Sequence, residues 1–219
     1  LINPDVPLSG SMWGGSVDMR TGAVSYSSYD AMYCSFAGVE FIRKWTGIQL
    51  PVGGGEYADA KEPGLYTALE KAYKAMTIAA FTGQHPSIGQ GMLEEGRTIS
   101  PVQLMLERDY AHGLMQLDRD IDPTPERIAM DAIKEVDVGL HANHLQSMHT
   151  AKNFRDHLWL PEFYDRSGWA GVPSEKEACD KAQAKVNELL FSYQKPEGRE
   201  EQLEEMRAVV ESARGDLLG

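Results

Sequence analysis

The first 120 residues repeat one local pattern: a short apolar segment leads into a glycine-rich loop and then into a long amphipathic segment. The apolar segments begin at Val6 and span 48–52 and 85–91, and the loops cover 14–22, 53–62 and 85–96. Short strands that alternate with long helices are typical of βα units and a parallel sheet. The pattern therefore predicts an α/β fold.

Three helices are predicted over 29–46, 63–81 and 101–117, where apolar residues recur every three or four positions. Gly47 and Gly83 follow the first two as stop signals. Ser100 and Pro101 supply an N-cap and a first-turn proline to the third. One face of the second helix carries the apolar residues Leu65, Leu69, Tyr73, Met76 and Ala80.

About three strands are predicted, whereas a closed barrel needs eight strands and typically about 250 residues. The rest of the chain has helical patterns, and half a barrel would leave two unpaired sheet edges. The chain also starts at Leu1, without a methionine. We therefore expect the carboxy-terminal portion of a (β/α)8 TIM-type barrel over 1–120, followed by a helical extension over 121–219 that packs on it.

The extension is predicted to hold a helix over 124–136 and two charged amphipathic helices over 175–193 and 199–213. Between them, the segment 154–169 is dense in aromatic residues, which we interpret as packing residues that fix the extension to the barrel. The charged helices are interpreted as a solvated cap or as a dimer surface. A homo-oligomer is therefore expected.

The chain is acidic, with a formal net charge of −12 and no cluster of Lys or Arg. Nucleic acids and anionic lipids normally require such a cluster, so neither is an expected partner. No apolar run approaches the roughly 20 residues of a membrane span. Cys34 and Cys179 lie far apart in helix-like segments and are interpreted as buried small hydrophobic residues rather than a disulfide, which favours a reducing, cytoplasmic compartment.

An ordered set of motifs resembles the trimethylamine methyltransferase superfamily over nearly the whole chain. The first group is Asn3-Pro4-Asp5-Val6-Pro7, Asp18-Met19-Arg20-Thr21-Gly22-Ala23 and Gly53-Gly54-Gly55 with Asp59-Ala60-Lys61. The second group is Met148-His149-Thr150, Asn153-Phe154-Arg155-Asp156, Leu158-Trp159-Leu160-Pro161 and Asp165-Arg166. No single motif is specific, and the resemblance rests on their order.

The resemblance implies methyl transfer from an amine to the Co(I) corrinoid of a small partner protein, as in methylamine-dependent methanogenesis. Archaeal trimethylamine enzymes of this superfamily hold pyrrolysine in the barrel. Other members lack it and demethylate quaternary amines such as glycine betaine. The corrinoid is expected on the cognate corrinoid protein, because this chain shows no D-x-H-x-x-G motif.

Lys61 is the candidate pyrrolysine position, since it follows a glycine-rich strand end, where a barrel presents reactive side chains. A sequence can show a lysine-derived residue by its parent letter. The alternative is an ordinary lysine at the junction of a loop and a helix.

The chemistry requires a positive charge on the amine nitrogen before its methyl group is attacked. Such a cation is stabilised by aromatic faces and carboxylates. Glu56, Tyr57 and Asp59 lie beside Lys61 and supply both, and Trp13 follows a neighbouring strand. The two carboxylates have a second interpretation as charges at a helix N-terminus. Trp13 also has a second interpretation, as a packing residue.

Two further residues are candidates. His85 lies at another strand end and is expected to orient the substrate or donate a proton, although a lone histidine is more often structural. Arg20 is the candidate partner for a betaine carboxylate. His141, His144 and His149 have no accompanying cysteine and are interpreted as locally hydrogen-bonded residues, so no metal site is predicted.

Three functional hypotheses stay open at this stage. The first is a trimethylamine:corrinoid methyltransferase, and the second is a related enzyme for quaternary amines. The third is a noncatalytic scaffold whose acidic, helical extension binds the corrinoid protein. An unrelated barrel enzyme is a further alternative, because fold and spacing alone do not establish chemistry.

Overall fold

The computed structural model of the chain describes residues 10–83, 89–120, 122–137, 139, 142–169, 171, 173–195 and 197–218. Helices dominate this part of the chain. They are α1 (Tyr29–Thr46), α2 (Leu65–Thr82), α3 (Pro101–Leu114), α4 (Pro125–Ile128), α5 (Met130–Val136), α6 (Met148–His157), α7 (Ser174–Ser192) and α8 (Glu200–Leu218). None of the helices described is both long and apolar enough to cross a membrane.

Capping residues determine the ends of α1, which coincide with the prediction. The Ser28 hydroxyl accepts a hydrogen bond from the Ala31 N–H at 3.2 Å and so caps the first turn. Gly47 adopts a left-handed φ of 76° and donates its N–H to Arg43 at 2.9 Å. Glycine tolerates this conformation without a Cβ penalty, which explains the stop.

The predicted helix over 101–117 is shorter than expected, and the one over 124–136 is interrupted. The Ser100 hydroxyl caps α3 by accepting from the Gln103 N–H. The helix ends at Leu114, and a 3₁₀ turn continues it over Met115–Asp118. Ala129 takes a left-handed φ of 50° and separates α4 from α5.

The predicted parallel sheet is not formed by the described residues. The structure has two antiparallel pairs of two-residue strands, β1 (Ser16–Val17) with β2 (Val24–Ser25) and β3 (Met92–Leu93) with β4 (Thr98–Ile99). Parallel pairing is limited to one bridge between Met12 and Val52. A strand forms only where a neighbouring segment pairs with it, and among the described residues parallel pairing occurs only between the segments around Met12 and Val52. The described part is thus a mostly helical α/β fragment without a closed barrel.

Helix α2 buries its charged face and exposes its apolar one. The buried side chains are Thr67, Lys71, Lys74 and Ile78. Leu65, Leu69 and Met76, from the predicted apolar face, are all exposed. This inversion is stabilised because each buried lysine has polar partners inside the fold.

Two hydrophobic clusters form the core. The first joins α1, the Val52 segment and α2 through Met32, Val39, Val52 and Ile78. The second joins α3 and α7 through Leu106, Ala178 and Ala182, with Phe163 from the aromatic segment packed among them. The second cluster shows that the aromatic segment packs against α3.

The chain divides into two compact units, residues 1–186 and 187–219. The second unit contains α8, whose first turn carries Glu200 and Glu201. Their negative charges stabilise the N-terminus of the helix. A boundary after residue 120 stays a prediction. Cys34 and Cys179 are both free cysteines, but the prediction that they are buried is wrong for Cys34, which is exposed, while Cys179 is half-buried.

Candidate functional site

Three aromatic rings from separate loops form the Trp13 cluster, which consists of Trp13, Tyr26 and Tyr57. The Trp13 ring centroid lies 4.6 Å from that of Tyr26 and 5.4 Å from that of Tyr57, with which it stacks at 11°. Gly96 makes the packing possible, since a Cβ there would lie 2.6 Å from the Tyr57 ring. Trp13 remains 43% exposed, so one face of the cluster is open to a ligand.

A turn over 25–28 links this cluster to two carboxyl groups. The Ser25 hydroxyl donates to Asp59 Oδ2 at 2.7 Å. The Ser25 hydroxyl oxygen also accepts from the N–H groups of Ser27 and Ser28, at 3.1 and 2.9 Å. This local hydrogen bonding by serine is typical of tight turns and fixes Asp59 beside the turn.

Glu95 reaches the same turn from the loop after β3. Its Oε2 accepts from the Tyr26 N–H at 2.8 Å, and its own N–H donates to Ala58 at 2.7 Å. The backbone of Glu95 is left-handed, with φ of 55°, as is that of Glu94 at 48°. Non-glycine residues adopt this conformation at a cost, which surrounding contacts must offset.

The carboxyl group of Glu95 is half-buried and lies within hydrogen-bonding reach of Asp59. Its Oε1 is buried and accepts no hydrogen bond within the described residues. Burial raises the pKa of Glu95, and the Asp59 carboxyl adds to the rise, while hydrogen bonds from the Ser27 side chain and the Tyr26 backbone oppose it.

Lys74 connects these loops from inside. Its side chain is fully buried, and its ammonium donates to Ser27 Oγ at 3.1 Å, to Gly54 O at 2.9 Å and to Tyr57 O. Burial lowers the pKa of Lys74 to about 8, against the attraction of nearby carboxylates, first among them Glu95. Lys74 therefore positions the Tyr57 loop against the 25–28 turn.

The structure brings three of the predicted site residues together, namely Trp13, Tyr57 and Asp59. Glu56 is half-buried and close enough for its charge to raise the pKa of Tyr57, after the larger effect of burial. The roles of these four residues stay predictions.

The other predicted residues are not part of this arrangement. Arg20 is exposed and pairs with Asp18 through two hydrogen bonds, at 3.0 and 2.7 Å. Lys61 is exposed and makes no hydrogen bond or ion pair with any described residue. His85 lies outside the residues that the structure describes.

Sequence reasoning missed Tyr26, Lys74 and Glu95. Tyr26 and Glu95 are 69 positions apart and meet through one backbone hydrogen bond, which no local pattern indicates. The acidic pair before Gly96 was a signal for a tight turn, though not for a site. Lys74 shares the buried face of α2 with Lys71, whereas the apolar spacing predicted only the face that carries Leu65, Leu69 and Met76.

The described residues contain no group of three or more His, Cys, Asp or Glu side chains that could hold a metal ion. The geometry also does not support pyrrolysine at position 61, because the side chain of Lys61 has no polar or aromatic partner among the described residues. No chemical step is therefore derived through residue 61.

Comparison with known proteins places these motifs in context. The trimethylamine methyltransferase family model matches residues 1–217. Trimethylamine methyltransferases of Methanosarcina mazei and Methanosarcina barkeri are 28% and 27% identical over 209 residues, which cover 92% of this chain and 41% of each relative. One from Desulfitobacterium hafniense is 26% identical over 178 residues, 80% of this chain and 35% of the relative. The chain thus spans about two fifths of the length of these relatives, in their carboxy-terminal part.

Proposed function

The chain belongs to the trimethylamine methyltransferase family, and we propose from this premise that it forms part of an enzyme that demethylates trimethylamine. The methyl group passes to the corrinoid of a cognate partner protein. The observation that carries this proposal is the Trp13 cluster, an exposed aromatic surface flanked by the carboxyl groups of Glu56, Asp59 and Glu95.

The charge distribution of the site suits a substituted ammonium ion. The charges of Glu95 and Glu56 act on Lys74, whose ammonium is already bonded to backbone and hydroxyl oxygens. No cationic side chain of the described residues lies over a ring of the Trp13 cluster. A cation over an aromatic face gains about 0.5–2 kcal/mol, depending on how far it is desolvated.

The rings contact one another too closely to admit a cation between them. The substrate would therefore lie over the exposed face of Trp13, with the carboxyl groups at its side. There the surface stabilises the positive charge that nitrogen needs before the methyl carbon is attacked. The C–N electron pair then remains on nitrogen, and dimethylamine leaves.

The βα pattern of the first 120 residues belongs, in this proposal, to a barrel that is completed in a longer polypeptide. Relatives more than twice as long as this chain support that view. The helices from residue 121 onward are the extension. The corrinoid is supplied by the partner, where it accepts the methyl group.

Glycine betaine is the alternative substrate. Its carboxylate would need a free cation near the aromatic surface, and Arg20, the predicted candidate, is engaged by Asp18 instead. Arg20 therefore does not favour a betaine over trimethylamine.

The test is methyl transfer by the polypeptide that contains this chain, assayed with trimethylamine and the cognate corrinoid protein. Trp13→Leu is expected to raise the KM for trimethylamine roughly 2- to 30-fold, the range that a lost cation–π contact implies. Trp45→Leu is the matched control, since Trp45 is 74% exposed on α1 and outside the cluster.

Equal KM values for the two variants would contradict the assignment of the Trp13 cluster. Absence of any methyl transfer would instead favour the scaffold hypothesis. Residue 61 has a separate test, mass spectrometry of the native peptide over 53–71. A mass above that of lysine by the methylpyrroline-carbonyl group would support pyrrolysine, and an unmodified lysine would exclude it.

A further inference from the structure

We propose that Tyr73 and Lys74, neighbours on α2, are positioning residues that fix the three rings of the Trp13 cluster in the arrangement that binds a cation. Neither side chain is assigned a contact with the substrate. The effect on substrate affinity rests on the proposed function. The fixing of the rings does not, and it is tested separately.

The ammonium of Lys74 is bonded to three separate segments of the chain. It donates to Ser27 Oγ at 3.1 Å, to Gly54 O at 2.9 Å and to the backbone oxygen of Tyr57. An ammonium has three N–H donors, so these acceptors use all of them. Because the side chain is also fully buried, it links loops to one another and leaves no donor for a ligand.

Each acceptor belongs to a segment that carries or supports a ring of the cluster. Ser27 directly follows Tyr26, and the Tyr57 oxygen belongs to the residue whose ring stacks on Trp13 at 11°. Gly54 packs beside the indole, since a Cβ there would lie 3.9 Å from Trp13 Cβ. One buried cation thus fixes the backbone next to all three rings.

Tyr73 fixes the same turn from the adjacent position of α2. Its hydroxyl donates to the Ser27 carbonyl oxygen, so Ser27 is bound through its main chain by Tyr73 and through its side chain by Lys74. Tyr73 also packs against the first hydrophobic cluster. The turn that carries Tyr26 is therefore attached to a helix that the core holds in place.

The charges around Lys74 explain how its ammonium is kept inside the fold. The carboxylates of Glu95, Glu70 and Glu56 attract it, and Lys71 on the same helix repels it. Burial lowers the pKa of Lys74 to about 8, so the amine is mostly charged at pH 7. A positive charge acts against a cationic ligand. Any gain in cation binding from Lys74 must therefore come from the positions of the rings.

The fixing of the rings is tested by NMR of the free chain. Nuclear Overhauser contacts between the Trp13 and Tyr57 rings are expected in wild type and should be lost in Lys74→Met. Lys71→Met is the matched control, because Lys71 is also buried on α2 but pairs with Glu107 instead. The control should keep the contacts. Their retention in Lys74→Met, or their loss in both variants, would overturn the proposal.

Substrate affinity is tested in the polypeptide that contains this chain, with trimethylamine and the cognate corrinoid protein. Lys74→Met should raise the KM roughly 5-fold and leave kcat nearly unchanged, because displaced rings bind the cation less well. Loss of the lysine charge alone would lower the KM, and loss of folded enzyme would lower kcat at constant KM. Either result, or an equal rise in Lys71→Met, would overturn the proposal.

Tyr73→Phe provides the test if Lys74→Met does not fold. This substitution removes only the hydroxyl that donates to Ser27, and it changes no charge at pH 7. The KM for trimethylamine should rise roughly 2- to 5-fold, the effect of one hydrogen bond. A KM equal to that of wild type would overturn the proposal.

The proposed function and the positioning role fail in different ways. Absence of methyl transfer from trimethylamine in wild type would contradict the proposed function, and the NMR comparison would still decide whether Lys74 fixes the rings. Active wild type whose Lys74→Met variant keeps both its ring contacts and its KM would contradict the positioning role alone.

Discussion

The chain builds two clusters from the same three residue types, one tryptophan and two tyrosines. The Trp13 cluster is described above, and the Trp159 cluster comprises Tyr110, Trp159 and Tyr164, with ring centroids 5.1–6.5 Å apart. The second already contains a cation from the chain, because the guanidinium of Arg166 lies 4.8 Å from the Trp159 ring centroid. The first contains carboxyl groups instead.

The partners of the Trp159 cluster identify it as structural. The Tyr164 hydroxyl donates to Leu106 O at 3.2 Å, and the buried Asp109 carboxylate accepts from the N–H groups of Glu162 and Phe163, both at 3.0 Å. These bonds fix the aromatic segment to α3. Aromatic composition alone thus cannot separate a binding surface from a packing surface, whereas the charges placed around the rings can.

The largest expected effect concerns the structural cluster. Asp109→Ala removes the acceptor of two backbone N–H groups and leaves both without a partner, which should lower the free energy of unfolding by about 4 kcal/mol. Urea denaturation followed by circular dichroism measures this change. Asp120→Ala, at an exposed position, should stay within about 0.5 kcal/mol of wild type. Equal effects of the two substitutions would show that the Trp159 cluster is not held in this way.

A second prediction concerns Lys74, which supports the Trp13 cluster. Burial lowers the pKa of Lys74 to about 8 in the fold, below the usual 10.5 of a solvated lysine, so the charged form is disfavoured in the fold. Relative to Lys74→Met, wild type should therefore gain stability as pH rises from 8 to 10.5, by about 3 kcal/mol. The gain should be lost as pH falls through 8. A stability difference that does not change over this window would contradict the burial of a charged Lys74.

A third prediction removes the internal cation of the Trp159 cluster. Arg166→Gln should lower the free energy of unfolding by about 0.5–1 kcal/mol, the value of a cation–π contact at an exposed site. Thermal denaturation measures the change. Arg155→Gln is the control, because it removes another cation–π contact, that of Arg155 with Phe154 at 4.5 Å, outside the Trp159 cluster. Neither substitution should alter cation binding at Trp13, and an effect of Arg166→Gln on that binding would mean that the two clusters are not independent.

The smallest effect is expected at Arg20. Its bond to Asp18 is exposed, and such pairs contribute little to stability. Arg20→Gln should leave both the denaturation midpoint and the KM for trimethylamine unchanged. A clear rise in KM would show that Arg20 contributes to substrate binding and would reopen the betaine hypothesis.

Local signals predicted the elements that local forces determine. The end of α1 was predicted from Gly47 and its start from the apolar spacing, and the Ser28 cap explains that start in the structure, because a cap and a left-handed glycine act within one turn. The strands were less predictable, since a strand exists only where a partner pairs with it. Among the described residues, the bridge between Met12 and Val52 is the parallel pairing that forms.

The site was predicted in part for the same reason. Trp13, Tyr57 and Asp59 followed from their loops, but Tyr26 and Glu95 meet across 69 residues. The buried face of α2 was also beyond local reasoning, because burial of Lys71 and Lys74 depends on distant oxygens of Glu107, Gly54 and Tyr57. Long-range polar contacts therefore set the limit of the sequence analysis.

The contrast between the two clusters is tested most directly by NMR of the chain with ¹⁵N-labelled indole groups. The four tryptophans give four indole N–H signals, which are followed during titration with tetramethylammonium chloride. The signal of Trp13 is expected to shift in a saturable manner while that of Trp159, whose ring already faces Arg166, stays in place. A shift of Trp159 with Trp13 unchanged, or no shift of either, would contradict the assignment of the Trp13 cluster as the cation-binding surface.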